Sequence, residues 1–159
     1  VDLFSNVKAD AYLDMTALPY EQSTFDLIYA SHVLEHVHRH MVLATLNHWS
    51  ALLRPGGVMR LAVPDFHAIA EYYLQTGKLE NVMGLLYGGQ DNFLNRHTIT
   101  FDERTLTEYM SRAGLSNVCR WDWRQTEHAA FDDYSQAYLP KLQKDTGKLM
   151  SLNLEGVKT

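Results

Sequence analysis

The segment His32-Val33-Leu34-Glu35-His36 places two histidines and a glutamate within one short stretch of chain. An H-x-x-E-H pattern binds zinc when both histidines lie on one helix face and the glutamate activates a bound water. Such a site needs a further ligand, and the nearest helical candidates downstream are Glu103 and Glu108. The segment directly follows a predicted buried strand, which is the wrong context for this motif. A zinc hydrolase through these two histidines and the glutamate therefore stays an alternative, and no metal is predicted.

A third histidine, His97, stands in a predicted polar loop after Gly88-Gly89-Gln90. Imidazole titrates near neutral pH, so His97 is a candidate general base over a bound substrate. A solvated loop histidine is the alternative interpretation. His32 and His36 follow a predicted strand end, where open α/β sheets keep their ligand sites. We therefore take His32, His36 and His97 as the candidate catalytic residues.

The first element that must position these histidines is a mainly apolar segment, residues 25–30. Apolar and polar residues do not strictly alternate in it. This pattern predicts a strand covered on both faces. A helix is predicted to follow at once, capped by Ser31 or His32 and continuing to Leu53. Residues 58–63 form a second strand of the buried type. The strand–helix–strand order with short connections predicts an α/β fold in which these two strands are parallel neighbours.

The remaining elements complete one predicted domain, residues 1–159. A short strand is predicted at 12–15, helices at 65–75, 79–86 and 102–113, and further strands at 118–123 and 150–157. Residues 125–147 have no clear pattern and are predicted to be a surface excursion.

Composition excludes several classes of protein. The chain of 159 residues is 46% apolar and 21% charged, as expected for an ordinary globular protein. Its net charge of -5 disfavours non-specific nucleic-acid binding, which needs a basic surface. No apolar run approaches the roughly 18 residues of a membrane span. The single cysteine, Cys119, fits a reducing cytoplasm.

Two stretches together resemble a known family. LPYEQSTFDLIYASHVLEHV, followed by LRPGGVMRLAVPDF, is similar to the middle of class I S-adenosylmethionine (SAM)-dependent methyltransferases of the type 11 kind. The later pieces YGGQ, RAGL and SLNLEG are similar to one bacterial branch of that family. The resemblance covers essentially the whole chain, and the combination of the two stretches at this spacing is specific.

The resemblance implies a Rossmann-like parallel sheet whose last strand is antiparallel, with the methyl donor SAM lying across the carboxyl ends of the strands. Carried over to this sequence, Asp2 would accept the ribose hydroxyls of the donor. Asp14 would accept the adenine amine, and Met15 would pack on the adenine ring. Ser31 and His32 would lie beside the methionine part and the transferred methyl group.

This sequence departs from the family at one point. The family's first strand ends in a G-x-G loop, and no G-x-G occurs here. The resemblance therefore implies an N-terminally truncated domain that lacks its first strand and glycine-rich donor loop. We expect weak or absent SAM binding, and a homodimer that covers the exposed sheet edges.

The activity implied by the resemblance is methyl transfer from SAM to a small-molecule, glycan or lipid-precursor acceptor. Methyl transfer depends mainly on positioning, because the sulfonium already activates the methyl group. A non-catalytic binding or assembly module is the alternative from a different class, and the missing glycine loop favours it.

Overall fold

The computed structural model describes residues 8–141 and 143–159. Asp2, one of the residues predicted to bind the donor, lies outside this part of the chain. Among the described residues, no helix is both long and apolar enough to cross a membrane.

A four-stranded mixed sheet forms the centre of the fold. Its strands are β1 (Phe25–Ser31), β2 (Leu53–Pro64), β3 (Leu115–Arg120) and β6 (Ser151–Lys158), in the order β1-β2-β6-β3. β1 and β2 are parallel, and β6 runs antiparallel to both β2 and β3. The predicted parallel pair and the predicted final antiparallel strand are therefore confirmed. A separate two-stranded hairpin joins β4 (Tyr138–Leu139) to β5 (Lys148–Leu149).

The α-helices lie mostly between the strands of this sheet in the sequence. They are α1 (Val42–Leu52), α2 (Phe66–Thr76), α3 (Met83–Tyr87) and α4 (Glu103–Arg112). Within residues 8–141 and 143–159, five 3-10 turns accompany them, at Met15–Ala17, Leu34–His36, Leu79–Asn81, Trp123–Gln125 and Tyr134–Gln136. The predicted excursion over residues 125–147 contains the 3-10 turn Tyr134–Gln136 and the first strand of the hairpin, β4.

Aspartates cap the two helices whose boundaries the sequence predicted best. The Asp65 carboxylate accepts hydrogen bonds from the backbone N–H groups of His67 and Ala68 at the start of α2. Asp102 does the same for Thr105 in α4. Gly77 ends α2 with φ of 67°, in the left-handed region that favours glycine.

The predicted helix start at Ser31 or His32 is wrong. Ser31 is the last residue of β1, and α1 begins only at Val42. The intervening carbonyl groups are bonded elsewhere, since Thr98 donates its backbone N–H to Glu35 O and its hydroxyl to Val37 O. These carbonyls would have accepted the bonds of a continuous helix. A buried 3-10 turn results instead.

The predicted strand over residues 12–15 is also wrong. The structure has a 3-10 turn at Met15–Ala17, with the Asp14 side chain accepting a hydrogen bond from Thr16 N. The Trp49 indole donates to Met15 O at 2.7 Å, which attaches the segment to α1. Asp14 therefore acts locally as a cap, and aspartate is one of the preferred residues for that position.

The core lies between the sheet and the helices α1 and α4. Leu46, Leu61, Leu106 and Leu152 have no exposed surface there. The body of the sheet is therefore closed by apolar packing. A ligand would therefore reach the sheet at the loops that follow the carboxyl ends of β1 and β2.

Candidate functional site

A cavity of about 710 Å³ opens at the carboxyl ends of the parallel strands β1 and β2. Its walls come from the turn after β1, from α3 and the loop that follows it, and from the 132–141 segment. Members of the lining include His32, His36, His97, Asp133, Tyr134 and Met150. All three predicted catalytic histidines therefore lie at one cavity.

The turn that carries the first two histidines is fixed by the sheet. The His32 backbone N–H donates to Ala62 O of β2 at 2.8 Å, and His32 has φ of 51°. The chain leaves β1 through this left-handed residue and so turns across the sheet end. The His32 ring packs against Tyr134 at 5.3 Å between ring centroids. Ser31 faces the same segment, and its hydroxyl oxygen accepts the backbone N–H of Ser135.

A hydrogen-bond chain sets the tautomer of His32. Asn153 donates its amide to Ser135 O, which leaves its Oδ1 to accept the Ser151 hydroxyl at 2.8 Å. The Ser151 hydroxyl has only one proton, so it can only accept at the 3.2 Å contact with His32 Nε2. His32 therefore carries its proton on Nε2 when neutral, and its Nδ1 presents a lone pair. That lone pair lies 3.3 Å from Glu35 Oε1.

Glu35 is the most unusual ionisable group of the site. Its side chain is 1% exposed, and neither carboxylate oxygen has a hydrogen-bond partner. Burial raises the pKa of Glu35 to about 8. Burial also lowers the pKa of His32 to about 3, with a further contribution from the nearby His97. Both groups are therefore uncharged over a wide range around neutral pH.

His36 and His97 stand edge to face, with ring centroids 4.8 Å apart. His36 Nδ1 contacts the carbonyl oxygens of Leu94 and Arg96, and His97 Nδ1 lies 2.9 Å from Leu85 O. A carbonyl can only accept, so Nδ1 carries the proton in each ring and Nε2 has the lone pair. Burial lowers the pKa of His97 below its ordinary value, which keeps this ring a neutral proton acceptor.

Two site residues, Asp133 and Tyr134, lie in the segment whose structure the sequence left open. Tyr29 of β1 donates its hydroxyl to Asp133 Oδ2 at 2.6 Å, across 104 positions of sequence. Burial alone would raise the pKa of Asp133, but hydrogen bonds from Ser135 and Tyr29 hold it below its ordinary value. Asp133 is therefore an anion beside the cavity. No local pattern marks it, since its partner is so distant in the chain.

The remaining predicted donor residues lie elsewhere. Asp14 is exposed and bonded to Thr16, and it is not part of the cavity lining. Met15 packs against the hydrophobic core. Their predicted contacts with the adenine end of a donor stay predictions.

The H-x-x-E-H zinc arrangement does not form as that motif requires. Its two histidines do not share a helix, since His32 follows a strand and His36 ends a 3-10 turn. The predicted third ligands are engaged in ion pairs, Glu103 with Arg120 and Glu108 with Arg104.

Comparison with known proteins places this chain in a family. A family model described as a methyltransferase domain matches residues 2–120. The chain belongs to that methyltransferase-domain family, and its central sheet and cavity position agree with this. No curated protein matches the sequence.

Solved structures of similar fold include SAM-dependent methyltransferases at low identity. One is the Burkholderia thailandensis 1,6-didemethyltoxoflavin-N1-methyltransferase with bound S-adenosylhomocysteine (SAH), with a TM-score of 0.55 and 20% identity over 94% of this chain and 50% of that one. Another, from Thermotoga maritima, has a TM-score of 0.56 and 15% identity over 91% of this chain and 61% of that one. A third, from Mesorhizobium loti, has a TM-score of 0.54 and 17% identity over 95% and 72% of the two chains. This chain thus spans about half to two thirds of the first two structures.

Proposed function

We propose that this domain transfers a methyl group from SAM to a small-molecule, glycan or lipid-precursor acceptor. The observation that carries the proposal is the cavity at the carboxyl ends of β1 and β2, into which His32, His36 and His97 converge. Open α/β sheets bind their ligands at that edge. Membership in the methyltransferase-domain family supports the same reaction.

The cavity suits a donor that carries positive charge. SAM supplies a methyl group already activated on a sulfonium. The anionic Asp133 and the ring of Tyr134 stand on one wall of the cavity, and both favour a cation. His32, in the turn after β1, would hold the methionine end, together with Ser31 at the end of that strand. Neutral His32 adds no repelling charge, because its pKa is lowered to about 3.

The acceptor would lie against His36 and His97. An acceptor hydroxyl must lose its proton as the new bond to carbon forms, and His97 Nε2 offers a lone pair for it. The carbonyl of Leu85 fixes the ring by accepting from Nδ1 at 2.9 Å, and so stabilises the imidazolium that would form. The rest of the catalysis is alignment of acceptor, methyl carbon and sulfur away from water.

Turnover with methyl-labelled SAM tests the proposal. Acceptors from the three classes would be incubated with the chain and with His97→Gln, and label transferred to acceptor would be counted. With SAM in excess, to offset the weak donor binding that the resemblance implies for this chain, we expect transfer to one class, reduced about 10²- to 10⁴-fold in His97→Gln for a hydroxyl acceptor. His48→Gln is the matched control, because His48 contacts Leu18 O and is not part of the cavity lining. SAM binding without transfer to any acceptor would favour the non-catalytic binding module.

We also propose that the protein is a homodimer and that it is located in the cytoplasm. In the described part of the chain, β1 ends the sheet order and pairs with β2 alone, and such an edge can add a strand from another chain. The single cysteine supports a reducing compartment. Light scattering at micromolar concentration tests the dimer, and a clean monomer contradicts it.

A further inference from the structure

We propose that Glu35, His36 and His97 bind one divalent transition-metal ion, of the zinc or iron(II) type, at the wall of the cavity. One nitrogen of each histidine and one oxygen of the glutamate lie within 4.8 Å of one another. This site goes beyond methyl transfer and does not depend on it. It also departs from the sequence-based expectation of no metal.

Glu35 supplies the strongest argument. A buried carboxylate is costly unless it has hydrogen-bond donors or a cation beside it. Neither Glu35 oxygen has a hydrogen-bond partner. A proton or a cation must therefore neutralise Glu35 at this point, and the two nearby histidine nitrogens would allow a metal ion to replace the proton.

The lone pairs around Glu35 point to the same conclusion. His32 Nδ1 carries no proton, because the chain through Ser151 and Asn153 places that proton on Nε2. Yet His32 Nδ1 lies 3.3 Å from Glu35 Oε1, and His97 Nε2 lies 3.9 Å from the same oxygen. In the metal-free chain the Glu35 proton can stand between these lone pairs, and a bound metal ion would take its place.

The two histidine ligands are oriented as metal ligands usually are. Backbone carbonyls hold the Nδ1 atoms of His36 and His97, which leaves Nε2 of each as the donor atom. Ligating histidines almost always bond their second nitrogen to a carbonyl, carboxylate or water in this way. These contacts fix the tautomer before any ion arrives.

The ligand set indicates the kind of ion. Two imidazoles and one carboxylate suit Zn²⁺ or Fe²⁺, with open positions left for water or substrate. Ligand atoms about 2.1 Å from a tetrahedral ion are about 3.4 Å apart, so separations of up to 4.8 Å in the present cluster must shorten when an ion binds. His36 lines the cavity and is only partly buried, which allows its ring to move.

This arrangement differs from the H-x-x-E-H motif in the role of each residue. His97 replaces His32 as the second histidine ligand, and Glu35 binds the ion rather than activating water. A metal ion and a proton compete for the same His97 lone pair. An occupied site would therefore change His97 from a base to a ligand, and the ion would acidify a bound acceptor hydroxyl.

Metal titration tests the site without donor or acceptor. The metal-free chain would be titrated with Zn²⁺ by calorimetry and with Co²⁺ by visible absorption. We expect one ion per chain, with affinity at least about 100-fold weaker in Glu35→Gln, His36→Gln and His97→Gln. His67→Gln is the control, because exposed His67 also lies near a glutamate, 3.4 Å from Glu71. The control should bind as the parent chain does.

Three results would overturn the proposal. The parent chain could bind no ion, the three cluster variants could bind as well as the parent, or His67→Gln could lose the ion. If Glu35→Gln fails to fold, the partly exposed His36→Gln decides the question. Zn²⁺ should raise the melting temperature of the parent chain, since it binds the folded state, and should not raise that of His36→Gln. An equal rise in both chains would also contradict the site.

Discussion

The body of the central sheet and its carboxyl end bury very different side chains. In the body, Met59 and Leu61 have no exposed surface and Leu154 has 1%. At the carboxyl end, buried polar side chains stand among the apolar ones, with 1% exposure for Glu35 and 3% for Asn153. Both regions exclude water, but the carboxyl end does so around Glu35, a side chain that ionises.

This difference suggests that the sheet body mainly stabilises the fold, whereas the carboxyl end carries the groups suited to function. Apolar burial stabilises the fold by about 25 cal/mol for each Å² removed from water. Burial of a polar group without a partner destabilises it. The carboxyl end therefore depends on the apolar body to keep its polar groups in place. Strongly shifted pKa values in a cavity are typical of functional sites, and here they belong to Glu35 and His32.

Truncation in the sheet body should have the largest effect on stability. Leu61→Ala removes a fully buried side chain from the strand between β1 and β6. We expect the free energy of unfolding to fall by about 2–5 kcal/mol, from lost burial and the cavity left behind. Urea denaturation followed by circular dichroism measures it. A loss below about 1 kcal/mol would show that the sheet body is not the main source of stability.

A hydrogen bond at the carboxyl end should matter less. Tyr29→Phe removes the donor to Asp133, and we expect a loss of about 1 kcal/mol, because this contact is only half-buried. The same urea experiment applies. A loss as large as that of Leu61→Ala would remove the contrast between the two regions.

The pH dependence of this bond has a defined sign. Burial, with help from Asp133, raises the pKa of Tyr29 to about 12 from its ordinary value of 10.0. Its contribution to stability is therefore complete below pH 10 and is lost as the pH rises through about 12. Absorbance titration of the parent chain against Tyr29→Phe isolates this one phenol. A difference spectrum that appears below pH 10 would contradict the assignment.

The smallest predicted effect is an increase in the stability of the fold. Thr45 in α1 buries its hydroxyl without a partner, although it lies beside the apolar core. Thr45→Val keeps the shape and removes the unpaired group, so we expect about 1 kcal/mol of added stability. The melting temperature measures it. A decrease would mean that the hydroxyl has a role in packing or hydrogen bonding.

The sequence predicted the parts of this fold that depend on local pattern. Apolar segments located β1 and β2, and aspartate caps located α2 and α4. The predicted start of α1 is too early, because Thr98 donates hydrogen bonds to the Glu35 and Val37 carbonyls. Thr98 lies some sixty residues further along the chain. Such a competition between remote groups leaves no mark in the local apolar spacing.

The candidate site was predictable to a similar extent. His32, His36 and His97 were identified from residue type and from their positions after a strand and in a loop. The burial of Glu35 and the contribution of Asp133 were not, since both depend on long-range contacts. Asp133 contacts β1 through Tyr29, 104 positions away in the sequence.

The central claim is that the carboxyl-end cavity is the donor and acceptor site of this methyltransferase-family domain. Side-chain NMR of the histidines during titration with SAH tests it most directly, because it detects even weak binding and locates it. The account predicts that the signals of His32, His36 and His97 shift with added SAH, while those of His48 and His67 stay unchanged. Shifts confined to His48 or His67, or no shift at any histidine, would contradict it.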